Sequence, residues 1–478
     1  MKTLQKNHRQ YVIAPAGHGK TEKISKIVSD YGGDKRILIL THTNAGVLSL
    51  LKRIKKKTNS NLFEVSTIDS FSIKHAIRFP SITGVIKIPE ANDDYKKCRE
   101  GIIKLTKTKY FKKVLTQNYD QIIVDEYQDC NLEQHELILN ITNSIPCLIF
   151  GDPMQGIFLL SGNKLVDWDR DVFPVFAACP NIQLDIPHRW ITHGVAELGE
   201  QIKTIREELK NGTRRPPQGG AIKLFPFIKG DYIKEYPKKI WDKIGGDASL
   251  LILLNDPSKE GHAKRKVAEK FKGLIQVIDS IDFSPFFDFL SKAENEKGIV
   301  LCEIIGEFVK LCATNTDADF KSICGKRNGA LGDCMIVRRN NDDEQRKIRK
   351  LCLLMRNIIN NDGAKKAKAF LGLFNAIENN HKYSILRKDI WKSTKQAMVL
   401  YLDKFPEITL EESGRIIRRK LSFGGRNYKR IVSTTLLTKG LEYDTVIILK
   451  SDEFKNTKDL YVAISRAKKE LLIINEIK

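Results

Sequence analysis

A chain of 478 residues exceeds what a single hydrophobic core organises, so two or more domains are expected. Hydrophobic residues make up 41% and charged residues 29%, and no run approaches the roughly 20 apolar residues of a membrane-crossing helix, which argues against a spanning segment. Lys and Arg number 81 against 58 Asp and Glu, and the net charge of +23 points to a polyanionic partner, for which nucleic acid is the commonest soluble choice.

The N-terminus, MKTLQKNHRQ, has no apolar signal-peptide core, and a cytoplasmic protein with no membrane partner is expected. From Tyr11 to about Phe158 short apolar strands alternate with helical stretches. The strands are YVIA (Tyr11–Ala14), RILILT (Arg36–Thr41), EVST (Glu64–Thr67), QIIVDE (Gln121–Glu126) and CLIFGD (Cys147–Asp152). Such strands between helices indicate a parallel sheet covered on both faces. Less clear candidates follow in NIQLDI (Asn181–Ile186), GAIKLFPF (Gly220–Phe227) and SLLILL (Ser249–Leu254). The turn-rich NGTRRPPQGG (Asn211–Gly220) reads as a loop among them. Strands vanish between about Ser280 and Lys420, where GIVLCEIIGEFVKLCA and QRKIRKLCLLMRNIINN carry helical periodicity. The pattern resumes at RIVSTTL (Arg430–Leu436), TVIIL (Thr445–Leu449) and ELLIIN (Glu470–Asn475).

The expected fold is therefore α/β with two parallel-sheet domains. The first covers 1–180 with a small insertion at about 74–120, and the second covers 181–279 and 426–478 around a mostly helical insertion at 280–425. The nine cysteines include no CxxC pair, so reduced thiols are expected; the loose cluster Cys302, Cys312, Cys324 and Cys334 leaves an iron–sulfur or zinc site as the alternative.

YVIAPAGHGKTEKISKIV reads as strand, glycine loop and helix. Ala14, Pro15, Ala16, Gly17, His18, Gly19, Lys20 and Thr21 form the candidate phosphate loop. Gly17 and Gly19 let backbone N–H groups close around phosphate oxygens, and the helix N-terminus adds its dipole. Lys20 would reach the β and γ phosphates and the Thr21 hydroxyl would ligate magnesium. The general pattern begins with Gly, and Ala14 stands in that place. Downstream, QIIVDEYQDCN ends an apolar strand in two acids. Asp125 is the candidate metal ligand and Glu126 the candidate general base that polarises the attacking water. ATP and magnesium are the implied substrate and cofactor.

At DEYQD the sequence resembles superfamily one helicases of the UvrD, PcrA and Rep type, and further motifs follow in that family's order. ILILTHTNAGVLSLLKRI resembles motif Ia, STIDSF (Ser66–Phe71) motif Ib, LIFGDPMQGIF motif III, LDIPHRW motif IV, STTLLTKGLEYD motif V and LYVAISRAKK motif VI. The glycine loop is similar to the family form AGxGKT. The resemblance implies two RecA-like domains with ATP between them and single-stranded or tailed DNA across their tops. It implies that Gln155 senses the γ-phosphate, that Arg189 and Arg466 reach it from the second domain, and that Glu442 holds the ribose. It also implies DNA contacts from Thr41, His42, Thr43, Asn44, Ser70, Phe71 and Phe158.

Several positions depart from the family pattern. No clear match exists for the glutamine segment that reads adenine, and His188 stands in place of a base-stacking tyrosine. His42, Asp69, Leu436 and Leu160 replace aromatic or histidine positions on the DNA side. Base–aromatic stacking contributes ~1–3 kcal/mol per base, so a weaker grip on DNA is expected. The 74–120 insertion is also shorter than in processive members. An autonomous DNA translocase or helicase is the leading expectation, serving DNA repair or anti-phage defence. The alternative is a DNA- or nucleotide-sensing ATPase that regulates a partner nuclease. A compact UvrD-like chain of this length resembles the helicase-like subunit of Gabija-type anti-phage systems, which works with an OLD-family nuclease. An RNA helicase is a third reading.

Overall fold

The computed structural model describes residues 8–87, 92–157, 164–213, 219–227, 240, 242–243, 246–255, 262–271, 274–278, 284–316, 319–320, 326–327, 330–331, 343–423 and 429–476. Two compact units emerge. One holds residues 1–225, 439–444 and 451–473, and the other 226–438, 445–450 and 474–478.

The first unit is built on strands β1 (Arg9–Ile13), β2 (Arg36–Thr41), β3 (Phe63–Thr67), β4 (Tyr119–Val124), β5 (Cys147–Gly151) and β6 (Ala177–Ala178). They form one sheet in the order β3-β2-β4-β5-β1-β6, and every pairing is parallel. Leu38, Leu40, Ile122, Val124 and Ile149 bury themselves on one face, and Val12, Ile37, Ile39, Ile123, Leu148 and Phe150 on the other. Apolar residues on both faces of each strand are what a doubly covered parallel sheet requires. Helices α1 (Lys20–Ser29), α2 (Asn44–Lys55) and α3 (Ile68–Arg78) follow β1, β2 and β3. The insertion after α3 consists of α4 (Pro80–Thr83), α5 (Asn92–Thr106) and α6 (Lys109–Asn118). Then α7 (Leu132–Ile141) precedes β5, and α8 (His188–Thr192) and α9 (Ala196–Lys210) follow β6.

NIQLDI forms no strand. Ile182 and Leu184 instead pack their side chains against the core on the sheet face that carries Val12, Ile37 and Phe150. Pro180 and Pro187 bracket the segment and cannot donate to a ladder.

The second sheet runs β7-β14-β13-β8-β12-β9, with β7 at Ile222–Phe227, β8 at Leu250–Leu253, β9 at Gln276–Val277, β12 at Arg430–Ser433, β13 at Tyr443–Leu449 and β14 at Ala467–Glu476. Its pairs β8–β12, β9–β12 and β8–β13 are parallel. A two-strand hairpin, β10 (Lys326–Arg327) with β11 (Ala330–Leu331), lies in the helical stretch between them. That stretch, in the second unit, is α11 (Ser284–Asn295), α12 (Gly298–Cys312), α13 (Asp343–Ile359), α14 (Gly363–Glu378), α15 (Lys388–Lys404) and α16 (Leu410–Phe423), preceded by α10 (His262–Glu269). Their apolar stripes share a core around Phe286, Phe289, Phe308, Phe370, Phe374 and Trp391. Cys302 and Cys312 are buried in that core, whereas Cys324 and Cys334 lie outside the described residues. Among the described residues no three or more His, Cys, Asp or Glu side chains come together as a metal-binding cluster. The fold is thus mixed α/β with two parallel-strand sheets and a helical insertion, as two RecA-like domains require.

Candidate nucleotide site

The site is assembled where strands of the first sheet end. In a parallel sheet all strands point the same way, so the residues after β1, β2, β4 and β5 converge at one edge. The glycine loop leaves β1 and returns as α1 at Lys20. Gly17 and Gly19 have φ of 74° and 85°, left-handed values that favour glycine. A Cβ on Gly17 would also stand 2.8 Å from the Trp190 ring, so the loop has no room for a side chain there. The Lys20 ammonium donates to the Ala14 carbonyl at 2.9 Å and the Pro15 carbonyl at 3.5 Å. This turns the loop carbonyls toward the lysine, while the first-turn N–H groups of α1 have no intrahelical partner. The loop shape and the helix N-terminus together form a cradle for phosphate oxygens.

Beyond β4 lie Asp125 and Glu126. Asp125 is 5% exposed, and its Oδ1 accepts from the Glu126 N–H at 3.0 Å. Burial and the adjacent Glu126 carboxylate push Asp125 up to about 7, against the pull of Lys20. Burial also opposes ionisation of Glu126, yet the ammoniums of Lys20 and Lys439 hold it below its usual value. Asp125 is buried and Glu126 half-buried, both feel the charge of Lys20, and two adjacent carboxylates are oxygen donors of the kind that suit a hard divalent cation. Glu126 adopts φ 57°, a left-handed conformation that costs a non-glycine residue ~1–2 kcal/mol. This turn carries the chain out of the sheet, and Gln128 donates to the Glu126 carboxylate.

The site contains residues that motif reading left aside. Asp129, one turn beyond Glu126, forms a buried ion pair with Lys439, which also donates to the Gln155 carbonyl. Asp152 follows β5 as Asp125 follows β4, and it is fully buried. It accepts from Gln155 Nε2 at 3.1 Å, from the Tyr461 hydroxyl at 3.0 Å and from Arg206 Nη2 at 2.7 Å. A carboxylate ending an apolar strand is the signal that would have found Asp152. For Arg206 the signal is a cation on the apolar stripe of α9, among buried Ile202, Ile205 and Leu209.

The other expected residues fall into two groups. Gln155, Arg189, Glu442 and Arg466 all belong to the compact unit that carries the glycine loop. Arg466 is 3% exposed and donates from Nη2 to Gln155 Oε1 at 3.3 Å and to Ser465 Oγ at 2.8 Å. Burial and the nearby Arg189 lower Arg466 to about 10, so it stays charged at neutral pH. The Arg189 guanidinium pairs with Glu442 and donates to the Ser465 carbonyl, and its backbone N–H donates to the Gly17 carbonyl at 3.1 Å.

On the nucleic-acid side, Thr41 is buried at the end of β2, and Thr43 caps α2 by accepting from the Gly46 N–H at 3.0 Å. Asn44 opens α2. His42 is half-buried, with Nε2 3.5 Å from Cys130 Sγ; burial and Lys439 lower its pKa to about 4, so the ring is neutral. Ser70 is exposed on the first turn of α3. Phe71 corrects an expectation. Its ring is fully buried in the core beneath the sheet and packs on His75 at 4.5 Å, so it presents no face to a base. Phe158 lies outside the described residues.

Residues 1–160 match the family model of an AAA domain, and residues 344–475 match that of the viral superfamily 1 RNA helicase core domain. The chain is a superfamily 1 helicase-like P-loop protein. None of the curated proteins compared with it matches. Its two matched regions carry the glycine loop with Asp125 and Glu126, and the segment of Lys439, Glu442 and Arg466. The chain is accordingly an ATP-dependent enzyme of the nucleic-acid helicase and translocase class. No helix among its described residues is long and apolar enough to cross a membrane.

Proposed function

We propose that the site hydrolyses ATP and that the energy moves the chain along single-stranded or tailed DNA in the manner of UvrD-type helicases. The observation that carries the reading is Gln155. Its side chain lies between Asp152 and Arg466, so one amide connects the glycine-loop side of the site with the arginine. Lys20 compensates charge on the β and γ phosphates, and Thr21 and Asp125 would hold magnesium, which neutralises phosphate charge and orients the γ-phosphoryl group. Glu126, kept ionised by Lys20 and Lys439, polarises the attacking water. Arg466 and Arg189 stabilise charge that develops on the transferring group, an interaction strongest in the transition state. Glu442 holds the ribose and is oriented by Arg189.

The test is ATP turnover by the purified chain with no nucleic acid, with single-stranded DNA and with single-stranded RNA. Stimulation by DNA, lost in Lys20→Ala, is expected. Stimulation by RNA alone would assign the track to RNA. A second reading, an ATPase subunit that senses DNA and regulates an OLD-family nuclease as in Gabija-type defence, gains support from Phe71. With that ring in the core, the stacking set is poorer still. DNA-stimulated turnover without unwinding of forked or tailed duplexes would favour the regulatory reading, and robust unwinding would exclude it.

A further inference from the structure

Ala16 is held on both sides of its backbone. Its N–H donates to the Tyr461 hydroxyl at 3.0 Å, and its carbonyl accepts from His18 Nδ1 at 2.8 Å. Tyr461 is fully buried in α17 (Thr457–Ile464), and its own proton goes to Asp152 Oδ2 at 3.0 Å. Asp152 is fixed by Arg206, whose Nη2 lies 2.7 Å from Oδ1 and whose Nε lies 3.4 Å from Oδ2. Arg206 also stands over the Tyr461 ring, with 5.9 Å to its centroid. The same Asp152 oxygen that takes the tyrosine proton accepts from Gln155. A continuous chain of donors and acceptors therefore runs from Arg206 through Asp152 and Tyr461 to the glycine loop, with a branch to Gln155.

Every member is buried: Asp152 and Tyr461 are 0% exposed, Arg206 is 5% and His18 is 1%. Buried polar chains of this kind are stiff when satisfied, because each unpaired member would lose a full hydrogen bond without water to replace it. The charges agree with the geometry. Burial opposes ionisation of Asp152, but Arg206 holds its carboxyl below the usual range. Burial and the Asp152 charge raise Tyr461, so the hydroxyl keeps the proton it donates. Burial lowers His18, against the pull of the Ala16 carbonyl, and that carbonyl requires a proton on Nδ1.

A phosphate cradle works only if successive loop amides point inward together, and the peptide before Gly17 sets their direction. We propose that Tyr461, anchored by the Asp152–Arg206 pair, is a positioning residue that holds the glycine loop in its phosphate-binding shape, and that Arg206 acts through it. This rests on the proposed hydrolysis of ATP at that loop. It assigns work to a tyrosine hydroxyl and to a helix α9 arginine, both outside the glycine loop itself.

Tyr461→Phe removes the hydroxyl and keeps the ring that fills the core. In the full-length protein it should raise the KM for ATP and the Kd for ADP about tenfold each, with kcat changed less than threefold, because the loop amides meet the β-phosphate in both nucleotides. Thermal melting should remain a single transition within a few degrees of wild type, so the shift reflects the loop and not a loss of folded protein. Arg206→Lys keeps the charge but loses the forked contact; it should move both constants the same way by about threefold. This variant decides the matter where Tyr461→Phe fails to fold. The double variant should show less than the product of the two single effects, since both act through Asp152. Unchanged KM and ADP affinity in a folded variant, or fully multiplicative effects, would overturn the proposal. Failure of the wild type to hydrolyse ATP would instead sink the reading of function, and the ADP measurement would still decide the role of Tyr461.

Discussion

The two units bury different things. Around the glycine loop the first unit buries charge: Lys20, Asp125, Asp129, Asp152, Arg206 and Arg466 are each below 9% exposed. The helical insertion buries rings, with Phe289 stacked on Phe308 at 3.8 Å between centroids and Phe374 against Trp391 at 4.6 Å. Its buried charges are local ties, such as Asp319 with Lys382 and Tyr383, or Lys366 on the carbonyls of Glu294 and Glu296. Buried charge is costly unless paired, and it is retained where chemistry requires it. The contrast is what the proposed hydrolysis at the glycine loop requires, with apolar cohesion left to the helical region.

Arg466→Ala puts the greatest strain on that assignment. An arginine that stabilises the transferring phosphoryl group contributes a factor of ~10³ to 10⁵ in rate. The variant should lose at least about three orders of magnitude in kcat with a much smaller change in nucleotide affinity. Steady-state turnover alongside ADP binding measures the two separately. A normal kcat would mean that the buried cation is structural, and the contrast between the regions would then fail.

In the helical region the matching change is Phe374→Ala. Emptying a fully buried aromatic site costs ~3–5 kcal/mol. Chemical denaturation should report that loss, whereas the KM for ATP should stay at the wild-type value wherever the variant remains folded. A shifted KM would show that cohesion and catalysis are not separable in this chain.

His75 sharpens the comparison, being a buried titratable group inside the first unit with no part in the site. Neither ring nitrogen has a hydrogen-bond partner in the structure, and the ring packs on Phe71 and Phe111. Burial first, then Lys74 and Arg78, lower its pKa from 6.5 to about 4, with Glu64 opposing. The unfolded chain therefore takes up a proton that the fold refuses. Stability from this group is complete above pH 6.5 and is lost as pH falls toward 4, by about 3 kcal/mol in all. His75→Leu should flatten that part of the acid dependence when unfolding free energies at pH 7 and pH 4.5 are compared. Equal acid loss in both proteins would place the sensitivity elsewhere.

Sequence reading recovered the strand cores well because buried parallel strands are continuous apolar runs; β2 and β5 begin at the expected residues, Arg36 and Cys147. It located the strand, left-handed glycine turn and helix of residues 9–29 because that turn needs glycine at two fixed places, Gly17 and Gly19. It failed where the partner comes from far along the chain. Asn181–Ile186 alternates like a strand, yet its apolar residues reach the core without a ladder partner. Phe71 looks like a stacking aromatic beside a polar cap, but it follows buried Ile68 by one helical turn and faces inward. Arg206 and Tyr461 meet Asp152 across 54 and 309 residues of sequence, and no local pattern encodes that meeting.

The smallest effect is expected at Thr43, where folding and the nucleic-acid contact can be pulled apart. Its side chain caps α2, and its exposed position at the edge of the sheet is where motif Ia would meet a phosphate. Thr43→Ala should cost ~1 kcal/mol through loss of the cap. Thr43→Asp keeps a capping oxygen and adds charge that the helix N-terminus favours, so stability should be unchanged or slightly higher. A strand phosphate would be repelled by that same charge. Affinity for single-stranded DNA at low salt should therefore fall in Thr43→Asp, and the difference from wild type should shrink as salt screens both charges. If Thr43→Asp binds DNA as wild type does at every salt concentration, the strand does not pass this end of β2. The net charge of +23 must then act through another surface.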